Sequence, residues 1–202
     1  MSLPTTTRRV ATLALALGTL LAVSGCGASP WSELEATEGA TSSATPKPTV
    51  KAVLNDLAAG STQRQLTAGD ANLTVDYSSS LNMGEWTAGA NKPISFSLSA
   101  ALGTDDGQGV TLSKVSLITA VNGPDGALDA PAPQIDSYSV AGGYFMKAPY
   151  SYGQTFVLGA IDPAATSVTM SFTYELLIQT TPTSAAYAKQ TASDTLTIAI
   201  AE

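Results

Sequence analysis

From residue 72 to the C-terminus, apolar and polar residues alternate one by one in several separate stretches. Leu73, Val75 and Tyr77 form the first stretch, and the clearest of the others cover residues 94–100, 168–176 and 196–200. Successive side chains of a β-strand point to opposite faces of the sheet, so this period indicates strands with one buried face. Turn residues, without helical periods, separate the stretches. The sequence therefore predicts an all-β fold, an antiparallel sandwich of seven or eight strands.

One break in the alternation predicts a local irregularity. Val110 and Leu112 share one face of their strand, whereas Val115 and Leu117 have the opposite parity. One extra residue in the strand would bring both pairs to the same face of the sheet. We therefore expect a β-bulge or a bend around residue 113.

Glycines and prolines between the stretches predict where the chain turns. Residues 103–107 end in Asp-Gly, which favours the positive φ angle of a tight turn. Residues 122–133 contain Asn-Gly, Pro-Asp-Gly and two further prolines, and are predicted to form a loop. Short strands are predicted at residues 135–140 and 155–158.

The first 25 residues have the three parts of an export signal. Arg8-Arg9 supplies positive charge, and an apolar run rich in leucine and alanine follows over residues 10–23. This run is shorter than the roughly 18 residues that a permanent transmembrane helix needs. Small residues, Ser24 and Gly25, then precede Cys26. The pattern predicts a signal peptide over residues 1–25.

The tetrapeptide Val23-Ser24-Gly25-Cys26 resembles the lipobox of bacterial lipoproteins. The resemblance implies that diacylglycerol is joined to the Cys26 thiol and that signal peptidase II cleaves between Gly25 and Cys26. The mature protein would then be held on the outer face of the cell membrane. General secretion (Sec) is the expected export route. Arg8-Arg9 leaves the twin-arginine (Tat) route as the less favoured alternative, since the rest of that consensus is missing.

The mature chain divides into three parts. Residues 26–49 are rich in Ser, Thr, Ala, Gly, Glu and Pro and nearly free of aliphatic residues, which predicts a lipidated flexible tether. Residues 50–60 form a short helix or a linker, because Val50, Val53, Leu54 and Leu57 have helical spacing. The sandwich domain takes residues 61–202.

Two broader resemblances concern the folded part. The strand pattern of residues 72–202 resembles the immunoglobulin-like sandwiches of bacterial surface proteins, without the Cys…Trp…Cys spacing of antibody domains. The overall composition and the run Pro149 to Phe156 resemble those of uncharacterised lipoproteins of high-GC actinobacteria. The second resemblance implies no particular function.

Residue types that are missing exclude several kinds of chemistry. The chain has no histidine, and its single cysteine is Cys26. Ser-His-Asp and Cys-His catalytic groups are therefore impossible, and no disulfide can form within the domain. The net charge is −7, and loss of the signal peptide removes only positive charge, so nucleic-acid binding is not expected. No cofactor is expected.

Carboxylates are the remaining reactive groups. Asp105-Asp106 lies in a predicted turn, where aspartate is favoured because it bonds the backbone. A calcium site is conceivable around a loop whose oxygen-bearing side chains are Asn122, Asp125, Asp129 and Asp136. Their spacing matches no calcium-binding loop, so we expect no metal.

The stretch from residue 138 to residue 156 contains six aromatic residues, namely Tyr138, Tyr144, Phe145, Tyr150, Tyr152 and Phe156. Glycines and Pro149 interrupt regular structure there. Aromatic rings on irregular loops often bind sugars or proteins, and we take Tyr144, Phe145, Tyr150 and Tyr152 as a candidate binding loop. The alternative is that the rings seal an edge of the sandwich.

These observations favour a lipid-anchored, non-catalytic binding module of the cell envelope. Its expected partners are the membrane, through diacylglycerol on Cys26, and an envelope protein or glycan. One alternative is a hydrolase that uses two carboxylates on cell-wall polymer. Another is a structural or assembly component of an envelope complex.

Overall fold

A computed structural model describes residues 54–138 and 142–202. The predicted signal peptide, the lipobox with Gly25 and Cys26, the tether and the beginning of the predicted helix lie outside the described residues. Within them, no helix is long and apolar enough to cross a membrane.

The described residues form ten β-strands and one 3₁₀ turn at Met83–Glu85. Seven strands have seven residues or more, and three have two to four. In chain order the strands are β1 (Ser61–Ala68), β2 (Ala71–Ser78), β3 (Lys92–Leu102), β4 (Val110–Gly123), β5 (Gly126–Leu128), β6 (Gln134–Ser137), β7 (Tyr144–Phe145), β8 (Tyr152–Leu158), β9 (Ser167–Gln179) and β10 (Tyr187–Ala199).

The strands pair into two antiparallel sheets. The first sheet has the order β1-β2-β3-β8. In the second, β9 lies between β10 and β4, and β5, β6 and β7 pair in turn with the other edge of β4. Within the described ranges, the chain crosses between the sheets three times, from β3 to β4, from β7 to β8 and from β8 to β9. The predicted all-β antiparallel sandwich is confirmed, with ten strands in these residues where seven or eight were predicted.

The core fills the space between the sheets with the apolar side chains of the alternating stretches. Phe96 of β3 lies near its centre, 5.8 Å from Phe172 and 5.6 Å from Tyr174 between ring centroids. The hydroxyls of Tyr77 and Tyr174 lie 2.8 Å apart and join the two sheets within the core. Burial raises the pKa of both phenols. A buried hydroxyl needs a partner, so the two tyrosines position the sheets relative to each other.

The break in alternation is a β-bulge, as predicted. The pairing of β4 with β9 shifts register between Leu112 and Lys114, which leaves Ser113 as the extra residue. Leu112 before the bulge and Val115 after it are both fully buried. The bulge thus keeps both halves of β4 facing the core.

The predicted turn before β4 is also confirmed. Gly107 has a φ angle of 102° and its N–H donates to Asp105 Oδ1 at 2.9 Å. The aspartate therefore bonds the backbone, as expected for a turn residue.

Three local features differ from the sequence predictions. Residues 54–60 form turns and no helix, because the Asn55 side chain accepts from the Leu57 N–H and competes with helical bonding. Strand β1 was not predicted, since its inward positions include Thr62 and Arg64. Strand β5 lies within the predicted loop at residues 122–133, where Pro-Asp-Gly forms the tight connection of a hairpin.

The sandwich has two distinct ends. Residues 54–60, 79–91 and 159–166 meet at one of them, which we call the entry end. There, Leu57 is buried and the Asp56 N–H donates to Thr197 O at 2.8 Å. The opposite end, which we call the loop end, carries the connections β1–β2, β3–β4, β7–β8 and β9–β10.

A buried lysine organises the entry end. Lys92 has no exposed surface, and its ammonium donates to the carbonyl oxygens of Thr87, Ala88 and Ala90 at 3.1, 3.2 and 2.7 Å. Burial lowers the pKa of Lys92. Because the carbonyls belong to one loop, Lys92 holds the β2–β3 connection against the sheet.

Candidate functional site

The six aromatic residues of the predicted stretch separate into two groups. Tyr152 and Phe156 lie on β8 and are buried, with ring centroids 5.9 and 6.2 Å from that of Phe96. They belong to the core. Tyr152, which the sequence suggested as a binding residue, is therefore a packing residue.

The rings of three tyrosines contact one another in a row that continues from the core towards the surface. Tyr144 is half-buried, and its ring centroid lies 4.6 Å from that of Tyr138 and 4.7 Å from that of Tyr152. The Tyr152 hydroxyl donates to Asp136 Oδ2 on β6. Burial, and then the contact with Asp136, raises the pKa of Tyr152. Because the half-buried Tyr144 ring contacts both Tyr138 and Tyr152, Tyr144 also serves mainly in packing.

Phe145 and Tyr150 remain at the surface. Their side chains are 46% and 61% exposed, and their rings meet edge to face with centroids 5.3 Å apart at an angle of 75°. We call these two residues the exposed ring pair. Exposing two adjacent aromatic rings to water is unfavourable, and the fold does not require it. Their exposure is therefore a candidate functional feature.

The backbone beneath the exposed ring pair is fixed to both sheets. Phe145 pairs with Thr111 of β4, and the Met146 N–H donates to Val110 O at 3.0 Å. The Ala148 N–H then donates to Ala100 O of β3 at 2.9 Å. Met146 between these contacts is fully buried. The rings therefore stand on a braced crossover from one sheet to the other.

Lys147 ties the crossover to the β3–β4 turn. Its ammonium donates to Asp105 Oδ1 and, at 2.9 Å, to Gln108 O. Lys147 and the Gly107 N–H hold the pKa of Asp105 below its usual range. Because Lys147 and Asp105 have opposite charges, together they contribute no net charge beside the exposed ring pair.

Gly109 lets the Phe145 ring approach the backbone of that turn closely. A Cβ atom at residue 109 would lie 3.4 Å from the ring and 2.9 Å from Gln179 Oε1. The second distance is shorter than real Cβ contacts, so alanine at residue 109 would displace the Gln179 amide, which is the end of a flexible side chain. The Gly109 N–H donates to the same Gln179 oxygen at 2.7 Å.

A shallow cleft of about 380 Å³ adjoins Gly109 on the side of Gln179. The cleft lies at the loop end, where the β1–β2 and β3–β4 turns meet the beginning of β10. Amide and hydroxyl side chains dominate its polar lining, which includes Thr104, Gln108, Gln179, Thr180 and Gln190. Asp70 is the one carboxylate that lines it, and it accepts from the Thr104 N–H at 2.7 Å.

Every cationic side chain of residues 54–138 and 142–202 is already engaged. Arg64 pairs with Asp56, Lys147 with Asp105, and Lys114 and Lys189 share Glu175. The two lysines hold the pKa of Glu175 below its usual range. Lys92 is bonded to backbone carbonyls. This part of the chain offers no unpaired cation to a phosphate or carboxylate.

The residues considered for calcium have other contacts. The Asn122 side chain donates to Thr169 Oγ1 at 3.3 Å, and Asp136 accepts from Tyr152. Asp125 lies in the β4–β5 turn and Asp129 is exposed. Throughout the two described ranges, no group of three or more acidic side chains is arranged to hold a metal ion.

No protein-family model, curated protein or solved structure matches the chain. The candidate site consequently rests on its own geometry. The sequence pointed to Phe145 and Tyr150 because aromatic residues are concentrated in one stretch of the chain. It missed Gln108, Gln179 and Gln190, which come from separate turns and strands and share no pattern along the chain.

Proposed function

We propose that this chain is a lipid-anchored, non-catalytic binding protein of the cell envelope, and that its loop end carries the binding surface. The exposed ring pair on its braced crossover is the observation that supports this most directly. Aromatic residues that are rigidly displayed lose little conformational entropy on binding, which is why they dominate binding hot spots.

The position of the site within the domain supports the same function. The chain enters the sandwich at the entry end, and strands of 13 residues such as β9 run from there to the loop end. At about 3.3 Å per residue, the two ends are roughly 40 Å apart. The segment that would carry the anchor therefore joins the sandwich at the end opposite to the exposed ring pair.

A hydrolase that uses two carboxylates receives less support. Such an enzyme needs one carboxyl that can take up a proton and one that stays ionised. Asp105 and Glu175 are each paired with lysine, which keeps both ionised, and Asp136 accepts from a tyrosine.

The lipid anchor is tested by feeding cells a labelled fatty acid. We expect label in the wild-type protein and none in Cys26→Ser, because the thiol is the acceptor for the lipid. Ser29→Ala, a change close to the same site, is the control and should remain labelled. An unlabelled wild-type protein would refute the anchor.

The binding surface is tested with the full-length protein, purified in detergent and used to capture material from envelope extracts. Phe145→Ala and Tyr150→Ala should lose the captured component, whereas Ile118→Ala should keep it. Ile118 is a fitting control because it is 57% exposed on the outer face of β4, away from the loop end. Capture that survives both aromatic substitutions would exclude the exposed ring pair as the binding surface.

A further inference from the structure

We infer that the ligand of the loop end is an uncharged polysaccharide, bound across the exposed ring pair and the cleft beside it. This inference rests on the proposed function and specifies the chemistry of its ligand. Three properties of the site support it: the shape of the rings, the polar groups of the cleft and the distribution of charge.

The rings offer apolar faces that fit the C–H surface of a sugar. Because Phe145 and Tyr150 meet at 75°, they present two faces at nearly a right angle. A pyranose ring has one face covered mainly by C–H bonds, and such a face can pack flat on an aromatic ring. The Tyr150 hydroxyl adds a group that can both donate and accept a hydrogen bond.

The cleft offers polar groups suited to sugar hydroxyls. Glutamine and threonine side chains both donate and accept hydrogen bonds, as a sugar hydroxyl does. Gln179 is held in place by the Gly109 N–H and by its own bond to Ser184 O at 3.0 Å. Its amide lines the cleft, and a Cβ atom at Gly109 would contact both this amide and the Phe145 ring. A volume of about 380 Å³ is enough for one or two sugar rings.

The charges at this end disfavour an anionic ligand. Lys147 is the cation nearest to the exposed ring pair; it is bonded to Asp105 and its side chain is only 17% exposed. An anionic polymer would therefore meet carboxylates without an available cation. A basic peptide is the remaining charged ligand to consider, since the chain is acidic. Its binding would be electrostatic and would weaken strongly with salt, unlike that of a neutral glycan.

The experiment measures binding of the full-length protein in detergent to protein-free cell-wall polysaccharide, with polylysine as the competing probe. Each is measured at about 0.05 M and about 0.5 M salt. We expect polysaccharide binding that changes little with salt. Phe145→Leu, which keeps an apolar side chain without the flat ring, and Tyr150→Ala should each weaken it roughly tenfold or more. Ile118→Ala should stay within about twofold of the wild-type protein.

Gln190→Glu separates the two candidate ligands further. The substitution keeps the size of a side chain that lines the cleft and adds one negative charge. Polysaccharide binding should fall or stay constant, whereas binding of a basic peptide should increase.

The outcomes distinguish this inference from the proposed function. Salt-sensitive binding of polylysine that increases in Gln190→Glu, together with no polysaccharide binding, would overturn the glycan inference. If captured envelope material still depended on the exposed ring pair, the proposed function would stand. If neither capture nor polysaccharide binding depended on those rings, both would fail. Thermal unfolding of each variant shows whether a loss reflects the site or the fold.

Discussion

Replacing Gly143 by alanine should destabilise the crossover that carries the exposed ring pair. Gly143 has a φ angle of 69°, a region that costs a residue with a Cβ atom about 1–2 kcal/mol. The new Cβ would also lie 2.5 Å from Leu112 O, a backbone atom that cannot move without disturbing the pairing of β7 with β4. Relieving such a clash costs typically about 1–3 kcal/mol. Reduced freedom of the unfolded chain returns about 0.4–1 kcal/mol.

The sum is a loss of roughly 1–5 kcal/mol in the free energy of unfolding. Gly60→Ala is the matched control, because Gly60 has a φ angle of 85° and a Cβ there would meet no atom within 4 Å. It should lose only about 1 kcal/mol. Urea unfolding of both variants, with unchanged m-values, measures the difference. If the two variants lost the same free energy of unfolding within about 0.5 kcal/mol, Gly143 would not lie as close to Leu112 O as the structure places it.

The remaining predictions concern polar groups inside the sandwich. Tyr77→Phe and Tyr174→Phe should each lower the free energy of unfolding by about 1–3 kcal/mol, because each leaves the other buried hydroxyl without this partner. The double variant should lose about 1 kcal/mol less than the sum of the two single losses. Additive losses in urea unfolding would contradict the direct contact of the two hydroxyls. Burial lowers the pKa of Lys92 below the ordinary 10.5, so the unfolded chain binds that proton more strongly. The wild-type free energy of unfolding should therefore rise, relative to Lys92→Met, as the pH increases from the folded-state pKa towards 10.5; a parallel pH dependence of both proteins would show that the pKa is not lowered.

The alternating stretches were sufficient to predict the sheets because each strand places its apolar residues on one face. Leu73, Val75 and Tyr77 are all fully buried, as that pattern requires. The bulge at Ser113 could be predicted for the same reason, since only an extra residue lets both halves of β4 face the core. The alternation of apolar and polar residues is informative wherever one face of a strand is buried and the other is exposed to solvent.

The same reasoning failed where burial depended on distant partners. Strand β1 places Arg64 inward, and its charge is accommodated because Asp56 of the preceding turn pairs with it at 2.8 Å. Residues 54–57 have helical spacing, yet Leu57 is buried at the entry end by packing against the sandwich and not by a helix. Tertiary packing overrides weak local preference in such segments.

The sequence by itself determined that the folded part is an antiparallel β-sandwich without histidine or disulfide chemistry, because alternation and composition are properties of the chain. Only the tertiary structure decided which aromatic residues face water. Phe145 and Tyr152 are similar in chemistry and close in sequence, yet one stands on the braced crossover and the other packs against Phe96. The physical reason is that exposure depends on what other strands bring to the same place, and residues 100, 110 and 146 meet only when the two sheets close on each other.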